Sequence, residues 1–91
     1  MNVLDKQTIQ NRLKELPEWY LDKDAIRRDW QFNDFPEAMS FLNNVANLAE
    51  KYQHHPEIHN VYNKISLRFN THDAGGITEK DFTIAKDINR L

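Results

Sequence analysis

"VYNKISLRFN", residues 61–70, is the stretch on which the fold turns. Val61, Ile65, Leu67 and Phe69 alternate with Tyr62, Lys64, Ser66, Arg68 and Asn70. Period two predicts a strand with one apolar and one polar face. Such a strand fits an antiparallel sheet that buries one side and leaves the other to water or to a partner chain. The preceding Glu57–Asn60 fits a shorter strand. Upstream, Ala38, Phe41, Leu42, Val45, Leu48, Ala49 and Tyr52 recur at helical spacing and predict a central helix, with Pro36 suited to its first turn. Further back, WYLDKDAIRRDWQF (19–32) reads as a hairpin. Trp19–Leu21 is its first arm and Asp22-Lys23-Asp24 its turn. Ile26, Trp30 and Phe32 share a face of the second arm, with Arg28 the exception.

The two ends of the chain add helices. Asp5 suits an N-cap, with Leu4 and Ile9 as a hydrophobic staple. Ile9, Leu13 and Leu16 then lie on one face, and Pro17 stops the helix. After the Gly75-Gly76 turn, Thr78 and Asp81 have the spacing of a capping box with Asp in the Glu role. Phe82, Ala85, Ile88 and Leu91 follow as a buried stripe. The order α-β-β-α-β-β-α predicts an α+β fold: a four-stranded antiparallel sheet with three helices packed on one face.

Composition narrows the function. Ninety-one residues fit one domain, residues 1–91. A hydrophobic share of 40% with 29% charged residues is a globular balance, not a disordered one. A chain this short buries only about 60–65% of its unfolded surface, which favours self-association. There is no cysteine, so disulfides, thiol nucleophiles and Cys-containing zinc sites are excluded. The net charge of −2 comes without a basic stripe, which argues against direct nucleic-acid binding. No apolar run approaches the ~20 residues of a membrane span, and MNVLDKQTIQ lacks a signal-peptide core. The expectation is a soluble, cytoplasmic protein.

The chemistry concentrates in EKYQHHPEIHNVY, residues 50–62. Proline disfavours the α region for the residue before it, so His55 should be extended and the central helix should finish near Gln53 or His54. At such a switch two adjacent imidazoles can aim into one pocket. Three readings fit. The pair can be an ordinary helix end, with histidine near the last carbonyls. His54, His55 and His59, with Glu50, can supply zinc ligands, although HHxxxH is no standard ligand spacing. Or the imidazoles can move protons near neutrality. A fourth histidine, His72, stands in a loop just past the strongest strand, where functional groups collect. On its own it reads equally as a surface residue beside Asp73.

Taken together, Glu50, His54-His55-Pro56, Asn60-Val61-Tyr62-Asn63-Lys64, Thr71-His72, Gly76-Ile77-Thr78 and Asp81 resemble the pattern of the pterin-4a-carbinolamine dehydratase family. Leu16, Trp19, Trp30-x-Phe32-x-Asp34-Phe35 and Ala38 extend the resemblance over nearly the whole chain. It implies an enzyme that removes water from a 4a-hydroxytetrahydropterin to give quinonoid dihydropterin, recycling tetrahydrobiopterin without metal or cofactor. It implies a homodimer or homotetramer, and for one family member a second role as a dimerisation cofactor of a transcription factor. A non-catalytic protein-binding module is therefore the alternative. By resemblance, His54, His55 and His72 are catalytic. His54, His55, Pro56, Thr71, His72, Asp73 and Ala74 contact the pterin. Glu50 orients His54 or acts as a solvated carboxylate. Asp81 holds His72 or Lys80, or merely caps its helix. Trp19 forms a pocket wall or belongs to the core. The chain departs from the pattern at Gln53, at Ile58-His59 and at Lys80.

Overall fold

The alternating segment does form a strand, with Ile65, Leu67 and Phe69 fully buried on one side. The computed structural model describes residues 2–91. Its elements are α1 (Lys6–Leu13), β1 (Tyr20–Asp22), β2 (Ala25–Gln31), α2 (Phe35–Tyr52), β3 (Glu57–Val61), β4 (Lys64–Phe69) and α3 (Glu79–Ile88). The strands form one antiparallel sheet in the order β1-β2-β4-β3. This is the expected α-β-β-α-β-β-α arrangement. Ile26, Ile65, Leu67 and Phe69 from the sheet share one core with Ile9 and Leu13 of α1, Val45 of α2, and Phe82, Ile84 and Ile88 of α3. Each such aliphatic or aromatic side chain stabilises the fold by roughly 1.5–3 kcal/mol.

Caps fix the helix ends as the residue types require. Asp5 and Asp34 accept from the Thr8 and Glu37 backbone N–H groups at 2.8 and 2.9 Å. α2 closes on Gln53, which takes the left-handed conformation at φ 50°. The chain leaves the helix there, so His54 and His55 lie outside it. α3 opens with the Thr78–Asp81 capping box.

The structure corrects four expectations. Residues 61–70 are not one strand. Tyr62-Asn63 is a hairpin turn, with Tyr62 at φ 51°. Asn60 Nδ2 donates to the Tyr62 and Lys64 carbonyls, and Asn63 Nδ2 to Phe32 O at 2.7 Å, so the two asparagines bend the backbone with their own side chains. Val61 pairs with Lys64 and is 59% exposed, away from the apolar face. The first hairpin has its strand at Tyr20–Asp22, one residue later than Trp19–Leu21, so the connection is only Lys23-Asp24. β2 ends at Gln31, leaving Phe32 beyond it, though still packed on Phe41. Leu91 lies beyond α3 and is 51% exposed, while Ile84, outside the expected stripe, is fully buried. Arg28, the polar exception on the apolar face, has a reason: its guanidinium sits 4.7 Å from the Trp30 ring centroid and donates to Asn89 Oδ1 at 2.6 Å.

Candidate active site

Three chain segments meet around one buried carboxylate and one hollow. The exit from α2 supplies His54 and His55. The loop after β4 supplies Thr71 and His72. The start of α3 supplies Asp81. His54 N–H donates to Ala49 O at 2.9 Å, which wraps the residue back against the helix end. Its ring, 7% exposed, stacks on Phe69 with centroids 5.6 Å apart. Nε2 lies 2.5 Å from Oδ1 of the fully buried Asp81. That carboxylate also accepts from the Thr78 N–H and from Thr71 Oγ1 through Oδ2, at 2.9 and 3.0 Å.

His72 begins a short 3-10 turn, His72–Ala74. A bridge from Thr71 N–H to Gly76 O, 2.8 Å, pins the two ends of that loop together. Gly75 closes the turn at φ 83°, a conformation that disfavours any Cβ. A Cβ at position 76 would come within 2.9 Å of the Val3 side chain. The double glycine thus makes a tight turn and admits the N-terminal segment, whose Leu4 N–H bonds Ile77 O.

His54, His55 and His72 line one polar hollow of about 260 Å³. Thr71 and Asp73 border it too. Gln53, Asn70 and Lys80 also reach it, and sequence reasoning had assigned them no pocket role. Gln53 and Lys80 had carried a signal, being two of the departures from the family pattern. Pro56 does not line this hollow. Ala74 borders a neighbouring depression with Thr71, Asp73 and Lys80.

The supporting residues fall differently from expectation. Glu50 pairs with exposed His55 at 2.5 Å, not with His54, because the helix ends in a left-handed residue that redirects the chain. Asp81 holds His54, not His72 or Lys80. Lys80 instead directs Nζ to Gln53 O at 3.4 Å. Trp19 is a core residue, 2% exposed, edge-on to Trp30 and donating to Asn89 Oδ1 at 2.8 Å. His59 stands on the open sheet face, opposite Ser66 and beside Arg27, Glu57 and Arg68. The zinc set of His54, His55, His59 and Glu50 is therefore not assembled. Among the described residues no group of three His, Asp or Glu side chains is placed to hold a metal ion.

Fold and hollow together define a helix-backed antiparallel-sheet protein with a histidine-lined cleft. Comparison with known proteins gives the class a family. The family model described as pterin 4 alpha carbinolamine dehydratase matches residues 2–91, and the chain belongs to that family. A protein of Thermomicrobium roseum, provisionally named a pterin-4-alpha-carbinolamine dehydratase, is 47% identical over 88 residues, covering 97% of this chain and 95% of its own. One of Acidobacterium capsulatum with the same provisional name is 46% identical over 91 residues, covering 100% and 99%. The crystal structure of a transcriptional coactivator/pterin dehydratase from Brucella melitensis superposes with a TM-score of 0.93 at 35% identity, over 98% of this chain and 97% of that one.

Proposed function

We propose that this chain is a hydro-lyase acting on a 4a-hydroxytetrahydropterin, in the recycling of tetrahydrobiopterin. The observation that carries the reading is the meeting of three imidazoles, from two distant segments, in one hollow. The elimination asks for that. One proton goes to the departing 4a oxygen and one leaves the adjacent ring nitrogen. The C–O bond breaks, the C=N bond forms, and water departs with no net change in protons. Each proton transfer assisted by a positioned side chain contributes roughly 10²–10⁴-fold. His54 and His72 form the transfer pair. His55, exposed and tied to Glu50, binds substrate and assists as a base. Thr71 and Asp73 help to line the pocket. Neither metal nor cofactor takes part. The working unit is residues 1–91, in a homodimer or homotetramer in the cytoplasm. Among the described residues no helix is long and apolar enough to cross a membrane.

The test is turnover of 4a-hydroxytetrahydropterin by purified protein, followed by ultraviolet absorbance. The expected result is dehydration well above the uncatalysed background. Background rate with the fold intact sinks the reading. One observation favours a second one: the Brucella melitensis protein is named both coactivator and dehydratase. Absence of turnover together with binding to a protein partner would establish a non-catalytic module on the same fold.

A further inference from the structure

Among the described residues no buried side-chain nitrogen or oxygen lacks a hydrogen-bond partner. Around Asp81 the donors and acceptors each group offers fix the direction of every hydrogen bond. Thr71 has a single hydroxyl proton, which it gives to Asp81 Oδ2 at 3.0 Å. The 2.7 Å contact between the Thr71 and Thr78 hydroxyls is then donated by Thr78. Thr78 Oγ1 in turn accepts the Lys80 backbone N–H at 3.2 Å. The Thr78 backbone N–H also ends on Asp81 Oδ2. All these protons point inward to one carboxylate. A carboxylate oxygen accepts hydrogen bonds and does not donate them. Oδ1 is thus an acceptor, and the nitrogen facing it, Nε2 of His54, carries a hydrogen.

We infer that His54 is locked as its Nε2–H tautomer and exchanges its proton with the substrate through Nδ1. Among the described residues Nδ1 has no hydrogen-bond partner, and since no buried side-chain nitrogen among them is unpaired, it reaches the surface; His54 lines the hollow there. In turnover one proton moves between Nδ1 and the pterin, while the Nε2 hydrogen stays on Nε2, donated to Asp81 Oδ1. Thr71 and Thr78 are positioning residues that act through Asp81. Thr71 therefore serves the site with its side chain turned inward, besides its place in the lining. The substrate half of this inference rests on the dehydratase reading; the tautomer does not.

The experiment is ¹⁵N–¹H correlation of the His54 imidazole in unliganded protein at about pH 8, above the ordinary imidazole range, with the signals assigned by their loss in His54→Asn. The expected spectrum shows hydrogen on Nε2 and none on Nδ1. Hydrogen on Nδ1 in the wild type overturns the inference. In Asp81→Asn the amide oxygen can still accept from Thr71 and Thr78, so its NH₂ faces Nε2 and reverses the tautomer. That should lower kcat by about 10²–10⁴-fold with KM little changed. A reversed tautomer at wild-type kcat would refute the role of Nδ1. Should Asp81→Asn fail to fold, Thr71→Val and Thr71→Ser decide: valine should lower kcat and serine should recover most of that loss, and equal rates in the two variants refute the positioning role of Thr71. Hydrogen on Nε2 in a wild-type protein that turns over no hydroxypterin overturns the dehydratase reading and upholds the tautomer.

Discussion

His54 stacks on Phe69 and is held from within by Asp81, whereas His55, the next residue, stands in water beside Glu50. The difference dictates how each should respond to change. In His54→Ala and His72→Ala, kcat for the hydroxypterin should fall by about 10²–10⁴-fold each. Far-ultraviolet circular dichroism should remain that of the wild type. Full rate in both variants would refute the acid–base roles. Glu50→Gln should behave otherwise. An exposed ion pair is worth about 0–1 kcal/mol, so kcat/KM should change by no more than about fivefold. A loss of several hundredfold would make Glu50 part of the proton-transfer machinery. Sequence revealed the histidines, because a His-His-Pro exit from a helix and a histidine after a strand have local signatures. It did not reveal which carboxylate serves which ring. Asp81 lies 27 residues from His54, and only the packing of the α3 start against the α2 exit joins them.

Elements place these residues, and the most exacting is the loop from β4 to α3. Its 3-10 turn ends on Gly75 at φ 83° with nothing near the missing Cβ, so backbone strain alone opposes a side chain there. Gly75→Ala should cost about 1 kcal/mol. In a chain of this size that is a fall in Tm of roughly 4–8 °C, measurable by thermal denaturation. An unchanged Tm would mean that the loop relaxes to another conformation and that His72 is less firmly placed. The β3–β4 hairpin shows why element boundaries escape a periodic reading. Tyrosine suits a strand, so alternation runs straight through Tyr62. The break comes from Asn60 and Asn63, whose side chains bond backbone carbonyls in place of ladder partners. Asn63→Ala should therefore destabilise by about 1 kcal/mol through the lost bond to Phe32 O, read from denaturant midpoints. The strands themselves were legible because burial enforces period two: β4 would expose Ile65, Leu67 and Phe69 if it slipped by one residue.

At the scale of the whole molecule, the sheet has a dry side and a charged side. On the charged side Arg68 bonds Asp22, Asp24 and Glu57, and Arg27 bonds Asp22 and Asp29. The Arg27 guanidinium, outweighing partial desolvation and joined by Arg68, holds the Asp22 carboxyl below its ordinary value. Arg12 does the same for Glu79 where α1 meets α3, again against partial desolvation. A carboxyl whose folded pKa is depressed binds fewer protons folded than unfolded. Its contribution is fully present above the ordinary carboxylate range of about 4 and is lost as pH falls through the lower folded value. Denaturant midpoints should thus drop from about pH 4 downward, and Asp22→Asn should flatten part of that slope. An identical slope in the variant would show that Asp22 does not contribute. Composition foretold a protein of mixed charge but not this lattice, because register, not chain order, sets Arg27 opposite Arg68 and Arg68 opposite Glu57.

Asp81 caps a helix through Oδ2 and steadies a histidine through Oδ1. Selection for solubility and selection for turnover would therefore press on one position and ask for the same residue. A mutant library screened only for soluble expression should keep aspartate at 81 with no pterin in the medium. Its persistence in a distant relative would then record the needs of folding, and the presence of imidazoles at the equivalents of His54 and His72 would be the better sign of a working enzyme.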